Sequence, residues 1–100
     1  MAQRKVTILD KAVQEVAHVA YFIESKGLPE TAKKFVGEAF QYFEKLGEDS
    51  IKHRPCKYLP WKIEGFSCVT FKKKFTIAFI DTEREIVIVD FSSVGILKSI

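Results

Sequence analysis

Val6-Thr7-Ile8-Leu9 is the single β-like run in the first half of the chain, and two segments with apolar residues at helical spacing follow it directly. At about Lys57 the pattern changes to alternating β-branched and aromatic residues, which continue through Phe91. One strand cannot bury a face alone. It must join a sheet made almost entirely from the C-terminal half, with the two helices packed together on that sheet. The order predicts an α+β fold, β-α-α-β-β-β, in which an antiparallel sheet packs on an α-helical hairpin.

Outward from that strand, Asp10 sits where an N-cap belongs. Ala12, Val13, Val16, Ala17, Ala20 and Ile23 then recur at helical spacing, and Gly27 supplies a natural stop, which predicts a helix over 11–26. Pro29 suits the first turn of the next helix. There Ala32, Phe35, Val36, Ala39, Phe40, Phe43 and Leu46 form one stripe ending at Gly47. The short Gly27-Leu28-Pro29 link leaves room only for an antiparallel hairpin of helices. Phe35, Phe40 and Phe43 share one face of the second helix, so all three are expected in the core between helices and sheet.

Phe66 to Phe71, Phe75 to Asp81 and Glu85 to Phe91 read as strands, parted by Lys72-Lys73-Lys74 and Thr82-Glu83-Arg84. Such short turns make an antiparallel meander. The last two strands are apolar on both faces, which places them centrally. Pro60 restricts the segment 57–63 to an edge strand or a loop.

With 100 residues, 47% of them hydrophobic, the chain is long enough for one domain, residues 1–100, with a sizeable core and no need of metal or disulfide. Sixteen Lys and Arg against thirteen Asp and Glu leave only +3, too little to define a polyanion binder, so the placement of charge matters more than its sum. Lys52, Arg54, Lys57, Lys62, Lys72, Lys73 and Lys74 stand against Glu64 alone in the window 52–74, a local +6, whereas 14–50 is net acidic. Cys56 and Cys68 are twelve apart with no C-x-x-C pair and no signal peptide ahead of them. They are expected to be reduced thiols in a cytosolic protein. No apolar run has the length of a membrane span, so a soluble, cytoplasmic protein is expected.

Chemistry is sparse. His18 and His53 are the two histidines; His18 falls off the apolar stripe of the first helix, as a surface residue does, and His53 with Cys56 is half a zinc site at best. No metal and no cofactor is expected. Lys52, His53, Arg54, Lys57 and Lys62 line up as a basic rim suited to phosphate or carboxylate contacts, and Trp61 with Tyr58 could offer a platform for stacking a base. The plainer alternative is that these charges are merely solvated, that Trp61 covers the sheet edge, and that Lys72-Lys73-Lys74 is a solvated turn.

Taken in order, these pieces resemble the RelE/ParE superfamily of bacterial type II toxins. Lys5-Val6-Thr7-Ile8-Leu9 and the helix opening Asp10-Lys11-Ala12 resemble its first strand and helix, and Tyr21-Phe22-Ile23 its usual Tyr-Ile. Pro29-Glu30-Thr31-Ala32-Lys33-Lys34-Phe35 is similar to its Pro-x-x-Ala-x-x-Phe start of helix two, and 75–81 and 85–91 to its last two strands. The resemblance implies a toxin of a toxin–antitoxin system, of the kind associated with plasmid stabilisation, neutralised by a cognate antitoxin whose C-terminal segment wraps it. The assembly it implies is a homodimer or a hetero-oligomer with that antitoxin.

RelE-like members cut mRNA on the ribosome; ParE-like members inhibit DNA gyrase. The chain departs from the nuclease pattern: Thr76 follows Phe75 where RelE-like strands carry Arg, and Ile96-Leu97 follows Ser93-Val94-Gly95 where a basic pair is usual. Without those cations little stabilises the charge that builds up as a phosphodiester is cleaved. The reading is therefore ParE-like and non-enzymatic. The alternatives are a RelE-like endoribonuclease using Lys52, His53, Arg54, Lys57 and Lys98 in a rearranged site, and an inactive relative acting as an interaction module.

Overall fold

The computed structural model describes residues 4–48 and 54–93. The elements are β1 (Lys5–Ile8), α1 (Asp10–Ser25), α2 (Pro29–Lys45), β2 (Arg54–Pro55), α3 (Leu59–Ile63), β3 (Ser67–Phe71), β4 (Phe75–Asp81) and β5 (Glu85–Ser93). The strands form one sheet in the order β1-β5-β4-β3-β2, with β4 and β5 central as their two apolar faces require. All pairs but one are antiparallel. The exception corrects the all-antiparallel expectation: β1 runs parallel to β5, Lys5 opposite Glu85 and Ile8 opposite Ile88. Parallel neighbours need a long connection to return the chain to the same end. Here the helical hairpin and the meander supply it.

α1 begins one residue earlier than expected, with Leu9 rather than Asp10 at the cap and no side-chain cap bond. Leu9 is held extended because its N–H still donates to the Ile88 carbonyl at 3.0 Å, prolonging the β1–β5 ladder. Asp10 is thereby pushed into the first turn, where its charge meets the positive end of the helix. The helix stops at Gly27, whose φ of +82° lies in the left-handed region that costs glycine nothing. Pro29 opens α2 as expected, since its missing N–H is unneeded there.

One face of the sheet carries the main core. Ala12 and Val16 of α1 and Phe35, Ala39, Phe43 and Leu46 of α2 or its end pack on Phe71, Ile77, Phe79, Ile86, Ile88 and Phe91. A register shift between Ala78 and Phe79 leaves Val89 as an extra residue on β5, with Ala78 opposite Asp90 and Phe79 opposite Ile88. That bulge matters because strand side chains alternate: without it, Ile88 and Phe91, three apart, would point to opposite faces. Two expectations need correction. Phe40 is only half-buried, its ring edge-on to Phe43 at 5.5 Å. The buried face of α1 keeps Ala12, Val16 and Ile23 of the expected stripe but takes in Val19 in place of Val13 and Ala17, which are exposed.

The opposite face carries a smaller cluster in which Cys56, Trp61 and Ala78 are buried, with Tyr58, Phe66, Cys68 and Val89 against them. The segment 57–63 thus becomes mostly helix, not an edge strand or loop: Pro60 occupies the first turn of α3, where a proline is tolerated. Among the described residues no helix is long and apolar enough to cross a membrane.

Candidate interaction faces

Two places combine cations with apolar surface. The first is the cap formed by β2 and α3 on the outer face of the sheet. Arg54 pairs with Cys68 and Pro55 with Ser67, and the next residue, Cys56, donates its N–H to the Phe66 carbonyl at 3.2 Å. This register sets the Cys56 and Cys68 Cα atoms 4.8 Å apart, and the two form a disulfide. The reduced-thiol expectation is therefore corrected. Twelve residues of separation show no motif in sequence, but the chain folds back on itself around α3 and makes the two positions strand neighbours. Both sulfurs being bonded to each other, neither is a thiolate for a metal. Among the described residues no group of three His, Cys, Asp or Glu side chains is placed to hold a metal ion.

Of the proposed basic rim, Lys57 and Lys62 are exposed on this cap. Arg54 lies in β2; Lys52, His53 and Lys98 lie outside the described residues, as do Ile96 and Leu97. Trp61 is 8% exposed, its ring edge-to-face with Tyr58 at 5.1 Å. Its indole is used up covering the sheet, so it offers no platform for a base. Sequence reading passed over Leu59 and Ile63, which are exposed on α3. Their i, i+4 spacing, which sets them side by side on one helix face, was the available signal.

The second place is a cleft of about 470 Å³ between the helical hairpin and the β3–β4 turn, lined by Val19, Phe22, Ile23, Phe35 and Phe75 and rimmed by Thr31, Lys34, Glu38, Lys72 and Lys74. Tyr21, Phe22 and Leu28 are exposed near the turn that joins the two helices. The lysine turn is more than a solvated connection. Lys72 and Lys73 both have positive φ, 54° and 63°, as the central pair of a turn that the Lys74 N–H closes on the Phe71 carbonyl at 3.2 Å, within a three-residue connection between Phe71 and Phe75. Lys72 Nζ reaches Glu38 Oε1 of α2 at 2.7 Å and lies 5.7 Å from the Phe71 ring. The hydrogen bond from Lys72 holds the Glu38 carboxyl below its ordinary range.

The remaining titratable candidates are dispersed. His18 is exposed on α1, 4.0 Å from Glu15. Asp90 is pushed up by burial, against a 2.8 Å hydrogen bond from the Phe91 N–H and the Lys11 ammonium 3.9 Å away. Thr76 is half-buried in β4 and supplies no cation. Among the described residues no acid, base and nucleophile converge, and the cations lie beside exposed apolar side chains.

No protein-family model matches the sequence, and neither does any curated protein. Among solved structures, the chain is similar to one described as "Chromosomal ParDE TA system from P. aeruginosa", with a TM-score of 0.76 at 19% sequence identity. The likeness covers 92% of this chain and 97% of that one, so the strand, helical hairpin and meander derived above make up the fold of a chain in a ParDE toxin–antitoxin structure.

Proposed function

We propose that this chain, as one domain over residues 1–100, is the ParE-like toxin of a type II toxin–antitoxin pair, acting in the cytoplasm by binding DNA gyrase and held inactive by a cognate antitoxin. The observation that carries the reading is the mutual coverage of the fold likeness, which leaves almost nothing of either chain unaccounted for. The order of family-like motifs from Lys5 to Phe91 supports it independently of overall identity. Thr76, standing where RelE-like strands carry Arg, favours binding over phosphodiester cleavage.

The antitoxin in this proposal is an acidic segment with apolar anchors, laid in the cleft beneath Phe22 and Phe75 or along a sheet edge, with Lys34, Lys72 and Lys74 as its counter-charges. Added salt should then slow association more than it speeds dissociation. Induced expression in a bacterial host, read by replication and gyrase-linked DNA breakage on one hand and by mRNA cleavage on the other, decides the mechanism. Stalled replication relieved by co-expressing the product of the neighbouring gene is expected. Codon-specific mRNA cuts, abolished by Lys57→Ala or by the same change at Lys52 or Arg54, would overturn the ParE-like reading in favour of the endoribonuclease.

A further inference from the structure

We propose that Cys56–Cys68 is a reducible latch: a dithiol reductant opens it, releasing the β2–α3 cap from the sheet and uncovering Trp61. Four observations meet at this bond. Among the described residues β2 is two residues long and pairs with Ser67 and Cys68 alone, so the described cap has little ladder of its own. The disulfide closes the loop that contains α3 and, among the described residues, is the one side-chain covalent link between cap and sheet, beside the main chain that runs from α3 into β3. The cluster under the cap is separate from the main core, so the cap is free to move without disturbing the helix face. Trp61 donates its backbone N–H to Tyr58 and accepts from the Phe66 N–H, at 3.0 and 3.1 Å, and Gly65 follows at φ +80°. These turn bonds hold the cap together as a unit.

The two sulfurs differ in access: Cys56 is 2% exposed whereas Cys68 is half-buried. A reductant thiolate attacks Cys68 Sγ, the S–S bond breaks, and its electron pair leaves on Cys56 Sγ, which takes a proton because a thiolate is costly in an apolar pocket. The second thiol of the reductant then attacks the mixed disulfide and releases Cys68. The protein gains two electrons and two protons, and the reductant becomes a disulfide. In the cytoplasm, where thiols are kept reduced, disulfides are chiefly transient or redox-sensing; this setting rests on the proposed localisation, but the latch does not.

The test uses the full chain alone, without target or antitoxin, so its outcome is independent of whether the chain is a toxin. After treatment with diamide, denaturation and alkylation, no thiol should be labelled; after dithiothreitol, two should be. Reduction should speed amide hydrogen exchange over 54–66 by at least about tenfold, within the order of a hundredfold expected for closing a loop of this size, while β4 and β5 keep their protection. Emission from Trp61, the single tryptophan, should shift to the red. A Cys56→Ala/Cys68→Ala variant should match the reduced protein with or without dithiothreitol. Two labelled thiols in the diamide-treated protein would overturn the proposal, as would exchange and emission that do not change on reduction.

Discussion

The two faces of the sheet are held by different means. On the inner face two helices of sixteen and seventeen residues lay a periodic stripe along four strands. On the outer face a five-residue helix covers part of β3, β4 and β5 with one indole and a disulfide. Burial that recurs along a helix is distributed, and removing any one side chain leaves a cavity that its neighbours cannot fill. Burial under a short cap is concentrated in one side chain, and the cap is able to shift when that side chain is lost. The inner face should therefore set global stability and the outer face a local opening.

The sharpest break of this contrast is Phe43→Ala, since Phe43 is fully buried on the sheet side of α2 with its ring edge-on to Phe91. It should lower unfolding free energy by about 3 to 5 kcal/mol in urea titration, whereas the half-buried Phe40→Ala should cost about 1 to 2 kcal/mol. Equal costs would mean that the helix face is rotated from the one described. Trp61→Ala should cost about 2 kcal/mol, less than is usual for a buried tryptophan, because the cap collapses onto Ala78. If it unfolds the protein as severely as Phe43→Ala, the two faces form one cooperative unit and the contrast fails.

A smaller effect distinguishes the half-buried carboxyl of Asp90. Because Asp90 holds its proton more tightly in the folded chain than in the unfolded one, its contribution is most favourable below the ordinary carboxyl range. It is lost as pH rises through that range to the raised value, then stays level. The stability of the parent relative to Asp90→Asn should fall with rising pH over that interval; a difference that grows instead would mean the Lys11 ammonium outweighs burial. Smallest of all, Lys72→Ala should let the Glu38 carboxyl titrate at its ordinary pH in a carbon-13 NMR experiment, with little change in melting because the pair is exposed.

Much of the inner face was legible from residue order alone, since apolar spacing reports burial wherever an element is long enough to repeat. The helical hairpin, Gly27 and Pro29, and the central place of β4 and β5 all follow from such local signals. The parallel direction of β1 does not, because direction is decided by how the rest of the chain returns. The phase of α1 was blurred by Val13 and Ala17, which mimic a core stripe. On the outer face three things were hidden for one reason: the helical turn at Pro60, the burial of Trp61 and the Cys56–Cys68 bond depend on the chain closing over β3. Five residues of helix carry no periodicity, and two cysteines twelve apart declare a partner only once strand register is known.

The parallel pairing of β1 with β5 has a consequence for when the molecule comes into being. Lys5 and Glu85 are neighbours across the ladder although nearly the whole chain separates them. During synthesis the first strand and both helices emerge long before β5 exists, and β5 is the strand that joins β1 to the rest of the sheet. Until then Phe35, Phe43 and Val16 have no β4 or β5 surface against which to close. Folding that waits for such distant contacts is slow compared with a local hairpin of helices. The nascent chain should therefore pass through a protease-sensitive interval that ends only after β5 has been made, and activity that depends on this fold begins no earlier.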